Sequence, residues 1–329
     1  MTKNVFLKKI LMKKFMILAI LAVALSGCGS DRSKKTNEVA QNDVSGQSGS
    51  FIIGCPETIL PLLNKWKQEF VKNHAKIKIG ITPVNSGKIL NMLENNQIQI
   101  AVLSGNDGRE SFWTAPVAKD AVLPVVSFDN NNLQQIVLSG ITKEKLAAAF
   151  TGKLKTWRQL LQAGSNDPIE VFKLSDSSGS SAMWAEFLKV KPSDFKGTLV
   201  FNENDIPMMV AGNKNAIGYC SFTDIYDINT GLKKRNLYVL PVDLNSNNQT
   251  DDNELVFDKI GDLKSAVASG KYPSPPGRKF YMACKKAPDD RAITSFIKWI
   301  LTIGQSYCDQ YGFVTIEKNE ASVSLKQME

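Results

Sequence analysis

Residues 51–103 read FIIGCPETILPLLNKWKQEFVKNHAKIKIGITPVNSGKILNMLENNQIQIAVL, and their rhythm decides the fold class. Short β-branched runs at Phe51–Ile53, Ile77–Thr82 and Ile98–Leu103 alternate with longer amphipathic stretches, Thr58 to Lys72 and the residues after Gly87. Strands of this kind separated by helical patterns make a βαβαβ unit, which requires a mostly parallel, doubly wound α/β sheet. The turns between them, Gly54-Cys55-Pro56-Glu57-Thr58 and Asn85-Ser86-Gly87-Lys88, run from strand ends into helix starts. In open α/β sheets such turns gather on the edge where ligands bind.

Downstream, an apolar strand is expected at Ala121–Phe128, with helices at Thr142–Phe150, Ser180–Leu188 and Asp205–Ala211. Further strands are expected at Ile169–Lys173, Ala216–Phe222, Leu237–Leu240 and Phe280–Cys284, and a last helix at Asp289–Thr302. The chain has 329 residues and is 43% apolar, more than one comfortable core holds, so two lobes are expected. We place them at 51–123 plus 282–329 and at 124–281.

The N-terminus reads as an address. Lys3, Lys8, Lys9, Lys13 and Lys14 precede the apolar run Phe15–Leu25, which ends in Leu25-Ser26-Gly27-Cys28. A charged, apolar, then small order is that of an export signal, and this run is too short to span a bilayer. Residues 29–50 carry no aromatic residue before a folded body begins, and 28–50 read as a flexible tether. Setting the five signal lysines aside leaves 35 basic against 32 acidic residues, so the net charge of +8 makes no case for a nucleic-acid partner. His74 is the sole histidine, so a multi-His metal centre is excluded, and in Lys72-Asn73-His74-Ala75-Lys76 it has none of the partner groups that a His-based triad needs; no metal or cofactor is expected. Cys55, Cys220, Cys284 and Cys308 are not spaced as CxxC; free buried thiols are favoured over disulfides.

Among loops able to carry chemistry, Ser175-Asp176-Ser177-Ser178-Gly179-Ser180-Ser181 is the most informative. A Ser/Gly-rich turn opening a helix presents free N–H groups and hydroxyls at the positive end of the helix dipole, a fit for an oxyanion. Leu103-Ser104-Gly105 ends a strand in the same style. Ser295-Phe296-Ile297-Lys298 formally matches the SxxK pattern of acyl-transfer enzymes, but its partner motifs are missing and its helix is apolar. The chain is therefore expected not to be an enzyme.

Together these residues resemble the phosphate-binding receptors of bacterial ABC transporters, a branch of the type II periplasmic binding proteins. The resemblance rests on Gly54–Leu62, on Val84-Asn85-Ser86-Gly87 and on Asp120-Ala121-Val122 as the start of a crossover strand. It extends through Phe150-Thr151-Gly152-Lys153-Leu154-Lys155-Thr156-Trp157, Asp176–Ser180, Ala216-Ile217-Gly218-Tyr219, and Gly304-Gln305 with Tyr311-Gly312-Phe313-Val314. It implies a two-lobed fold with crossover strands as a hinge. It implies an ABC permease and ATPase as partners, and phosphate or a similar oxyanion bound by Thr58, Ser86, Ser104, Ser178, Gly179 and Ser180. Leu25-Ser26-Gly27-Cys28 resembles a lipobox, which implies lipidation of Cys28, an exported monomer and membrane contact through the lipid alone. The family's usual Arg is replaced by Leu174 and its usual Asp by Ser104, which leaves open a surface protein that keeps the fold as sensor or adhesin.

Overall fold

The structure, a computed structural model, describes residues 47–105, 111–255 and 257–329. The signal, Cys28 and most of the expected tether lie outside them. The chain runs β1 (Gly49–Cys55), α1 (Leu60–Lys72), β2 (Ile77–Pro83), α2 (Ser86–Glu94), β3 (Ile100–Ser104) and β4 (Trp113–Ser127). It continues through α3 (Leu133–Ser139), β5 (Ile141–Thr142), α4 (Lys143–Phe150), α5 (Trp157–Leu161), β6 (Glu170–Lys173), α6 (Gly179–Leu188) and β7 (Thr198–Leu199). Then come α7 (Ile206–Ala211), β8 (Ala216–Ser221), α8 (Phe222–Ile225), β9 (Leu237–Val239), β10 (Val242–Asp243), α9 (Ile260–Ser269), β11 (Gly277–Cys284), α10 (Arg291–Leu301) and α11 (Lys318–Lys326).

One sheet carries the fold, in the order β2-β1-β3-β11-β4-β8-β6-β7, with β9 also on β4. The βαβαβ reading holds: β1 pairs in parallel with both β2 and β3. The middle of the sheet is antiparallel, because β11 returns between β3 and β4 and β8 adds to the far half of β4. A parallel group therefore lies at each end, β2-β1-β3 and β8-β6-β7, joined by two long strands.

Among the described residues, two large apolar cores and a smaller cluster of Ile89, Leu93, Ile98 and Leu103 lie along this sheet. Of the two large cores, one gathers Phe51, Ile53, Trp66, Phe70, Ala115, Val117, Ala118, Phe280, Met282 and Phe296, and the other gathers Ala121, Val122, Leu123, Val125, Val126, Phe150, Trp184, Ile217 and Tyr219. Strand β4 belongs to both: its first half packs in one core and its second half in the other. The sequence pattern placed this strand at Ala121–Phe128, and the resemblance started it at Asp120, but it begins at Trp113, because Trp113–Lys119 mixes Thr, Pro and Lys and hides an apolar face. At the other end β1 starts at Gly49, inside the expected tether; a Cβ there would stand 2.8 Å from the Ala292 Cβ, so Gly49 lets α10 sit against the strand.

Motifs that carried the family resemblance turn out to hold the frame. Gly152, with φ +73°, ends α4, and Thr156 caps α5 so that Trp157 enters the second core. Gln305 clasps the carbonyls of Val117 and Ile300 and accepts from the Ile316 N–H, while Trp66 donates to Gly304 O at 2.7 Å. The SxxK serine, Ser295, donates to Gln47 on the surface of α10. All four described cysteines are free and buried.

Phe296 meets Phe51 and Phe70 ring to ring with no exposure. Phe296→Ala is therefore expected to cost about 3–5 kcal/mol in urea unfolding; a loss below about 1 kcal/mol would show that this core repacks freely.

Candidate functional site

The strand-to-helix turns of the two cores meet at one cavity of about 270 Å³. Its lining includes Thr58, Asn85, Ser104, Leu174, Ser178, Gly179, Ser180, Glu203, Arg278 and Phe280. Five of the six residues expected from sequence, Thr58, Ser104, Ser178, Gly179 and Ser180, thus line one space. Ser86 opens α2 beside it, and its side chain is not among those described.

Each turn is placed by its own chemistry. Pro56 leads out of β1 into a short 3-10 turn, Glu57–Ile59, which carries Thr58. Asn85 caps α2 by accepting from the Gly87 N–H, and Ser178 caps α6 by accepting from the N–H groups of Ser180 and Ser181. The N–H of Gly179 is left without a partner among the described residues. Gly105, with φ +87°, turns the chain away after β3, where a Cβ would meet Met183 Sδ at 2.8 Å. Ser104 Oγ is buried and has no hydrogen-bond partner among the described residues. A free buried hydroxyl at a cavity wall is a donor waiting for an acceptor.

The two core regions touch across the opening. Ser177 Oγ donates to Asn85 Oδ1 at 3.1 Å, and a Cβ on Gly87 would stand 2.8 Å from that of Ser177. Behind α6, Tyr219 accepts from the Leu174 N–H at 3.2 Å and shares a 2.7 Å hydrogen bond with Ser181 Oγ. It is held by ring contacts with Phe150, Trp184 and Phe195. The Ala216-Ile217-Gly218-Tyr219 motif therefore fixes the end of β6 and the first turn of α6 from beneath.

Two side chains that sequence reasoning missed dominate the electrostatics. Arg278 on β11 stands opposite Asp120 on β4, donating from Nε to Oδ1 at 2.6 Å and from Nη2 to Oδ2 at 2.9 Å. Both side chains are fully buried. Burial alone would weaken the Arg278 charge, but the Asp120 carboxylate more than reverses this and keeps its pKa above normal. Its third nitrogen group, Nη1, donates to Ser180 Oγ at 2.7 Å. The guanidinium that Leu174 lacks thus reaches the cavity from another strand. Lys173 does not replace it; its ammonium pairs with Asp176 at 3.0 Å.

Glu203 is the second. Its Oε1 accepts from Ser180 Oγ at 2.5 Å and from the Ser221 N–H at 2.7 Å, and its Oε2 accepts from Thr58 Oγ1 at 3.0 Å. Ser221 Oγ in turn donates to Asp120 at 2.7 Å. A continuous line of hydrogen bonds therefore runs Asp120, Arg278, Ser180, Glu203, Thr58 across the cavity. On its far side Glu203 borders a second cavity of about 770 Å³, shared with Glu57, Asp224 and Tyr311. There burial first, and the nearby Glu203 charge next, push the Asp224 carboxyl up to about 8.

A faint signal for Arg278 and Asp120 was present: each sits in a charged pair, Lys119-Asp120 and Arg278-Lys279, at the edge of an apolar strand run. Glu203 gave none, since Asn202-Glu203-Asn204-Asp205 reads as an ordinary polar helix start.

A family profile described as PBP superfamily domain matches residues 40–302. The chain belongs to the PBP superfamily. The phosphate-binding protein PstS of Bacillus subtilis is 25% identical over 228 residues, 69% of this chain and 73% of its own length. A substrate-binding protein from Clostridium perfringens, solved with bound phosphate, superposes with a TM-score of 0.63 at 19% identity, covering 82% of this chain and all of its own. An ABC-type phosphate transport receptor from Vibrio cholerae gives 0.62 at 15% identity, covering 81% and 100%. Superfamily membership agrees with the sheet order seen here, two parallel groups joined by two long strands, with the cavity between them.

Two outcomes follow from this geometry. Arg278→Met leaves Asp120 buried and uncompensated, and is expected to cost about 3–5 kcal/mol of stability in denaturant melts; near-neutrality would show that the pair is not buried as described. For Asp224, the unfolded chain ionises in the ordinary carboxylate range while the folded chain keeps its proton up to about 8. The folded state binds the extra proton across that window, so stability falls as pH rises through it. Asp224→Asn is expected to match the parent in thermal melts near pH 4 and to be the more stable of the two above about pH 8; equal melting at both would contradict the shift.

Proposed function

We propose that this chain is the extracytoplasmic receptor of an ABC importer, binding phosphate in the cavity between its two cores and acting by capture alone, with no covalent step. The observation that carries the reading is the convergence on one 270 Å³ space of the unpartnered Ser104 hydroxyl, the α6 N-terminus at Gly179 and Ser180, Thr58, and a guanidinium-linked Ser180. Hydroxyls and N–H groups gathered at a helix N-terminus, beside a guanidinium, suit a small tetrahedral oxyanion. The PstS relative and the two solved receptors support phosphate as that anion.

In this reading Thr58, Ser86, Ser104, Ser178, Gly179 and Ser180 are the contact residues. The two lobes, 51–123 plus 282–329 and 124–281, close by bending β4 and β11, the two strands that join them. Cys28 carries the lipid that tethers a monomeric exported receptor to the bacterial cell membrane, in the periplasm or on the outer cell surface. No helix among the described residues is long and apolar enough to cross a membrane.

The test is binding. Protein freed of ligand by unfolding and refolding is melted against phosphate, sulfate and molybdate. Phosphate at a hundred times its Kd adds about 2.7 kcal/mol, a shift of several degrees for a protein of this size. Ser104→Ala is expected to weaken phosphate roughly ten- to a hundredfold, since a hydrogen bond to a charged acceptor is worth about 1.5–3 kcal/mol. No shift with any tetrahedral oxyanion would overturn the reading and favour a surface protein that kept the fold for another purpose.

A further inference from the structure

Glu203 sits where the ligand of this reading would have to sit. Its carboxylate draws donors from three elements: Thr58 on the turn after β1, Ser180 on α6, and the Ser221 N–H at the end of β8. The first comes from one core region and the other two from the second, so one side chain bridges the cleft. Each hydroxyl has a single proton to give. Thr58 gives its proton to Glu203. Ser180 accepts from Arg278, so its proton also goes to Glu203. Neither hydroxyl is then free for another acceptor.

Charge points the same way. Among the described residues, Arg278 is the only cation lining the cavity, and Asp120 already neutralises it. Among the described residues, the two lining carboxylates are Glu57 and Glu203. An anionic ligand entering beside a seated Glu203 meets net negative charge at hydrogen-bond range. Retreat is open to Glu203, because it begins a one-turn 3-10 helix, Glu203–Asp205, directly after Asn202 and Phe201, and Phe201 is 86% exposed.

We propose that Glu203 is the cleft's own oxyanion, a residue that sets affinity and selectivity by occupying the ligand's donors, so that phosphate binds only as this carboxylate leaves. It holds the unliganded halves together through Thr58, and an anion enters only if it offers more acceptors to the same donors than two carboxylate oxygens do. A tetrahedral phosphate meets that condition, whereas a simple monocarboxylate does not. The inference rests on the phosphate reading for the identity of the displacing ligand, but not for the bridge itself.

Titration calorimetry of phosphate against the parent, E203A and E203Q is the test, paired with X-ray scattering of the same unliganded proteins. Loss of the internal competitor is expected to tighten phosphate about tenfold or more in E203A, with E203Q between it and the parent. Unliganded E203A is expected to be more expanded than the unliganded parent. E203Q keeps the side-chain shape and guards against a folding failure in E203A. Equal or weaker phosphate binding in both variants would overturn the proposal and leave the phosphate reading intact, since Glu203 would then be a ligand contact. Absence of phosphate heat in all three proteins would remove the phosphate reading instead. In that case expansion of E203A still upholds the bridge, and identical scattering overturns it.

Discussion

The ion pair between Asp120 and Arg278 is the constraint on which the rest of the structure depends. Two full charges lie in adjacent strands with almost no exposure, and neither is tolerable there alone. Their register is fixed because Asp120 and Arg278 are direct partners across β4 and β11. The pair stands where β4 passes from the first core to the second, between Ala118 and Ala121. It therefore locks the two joining strands at the point where the halves of the molecule meet, and it aims the remaining guanidinium nitrogen at Ser180. Structure and site share one interaction: the frame is closed by two of the arginine's donor groups and the cavity is served by the third.

From this point the hydrogen bonds spread outward in order. Ser180 passes the arginine's influence to Glu203, Ser221 ties Asp120 to the same carboxylate, and Thr58 joins from the other core. Tyr219 holds the first turn of α6 from below, and the aromatic rings around it give that turn little freedom. A site built this way is rigid on the side of the second core. Adjustment falls to the short turn at Glu203 and to the strands that join the halves.

Much of the fold was legible in the sequence because its signals are local. The alternation of 51–103 and the Ser/Gly turns at strand ends each depend on residues within a few positions of one another. The length of β4 was missed, as Trp113–Lys119 lacks the β-branched run that marks a strand, and its partner β11 lies more than 150 residues away. The site divides along the same line. The turns holding Thr58, Ser104 and Ser178–Ser180 were readable from local chemistry, and the family resemblance named those residues, whereas Arg278 reaches the cavity only through strand pairing and Glu203 only through a fold that brings residue 203 back to residue 58. Leu174, which looked like a lost ligand residue, is buried, and its N–H is held by Tyr219. The missing guanidinium is supplied from a place no sequence window contains.

The measurement that bears most directly on this account is a crystal structure of the protein with phosphate present. The account predicts a tetrahedral anion bounded by Thr58, Ser104, Gly179 and Ser180, with Arg278 still clasping Asp120 and the Glu203 carboxylate withdrawn. Phosphate bound elsewhere, or Glu203 still bonded to Thr58 and Ser180 with the anion excluded from those donors, would contradict it.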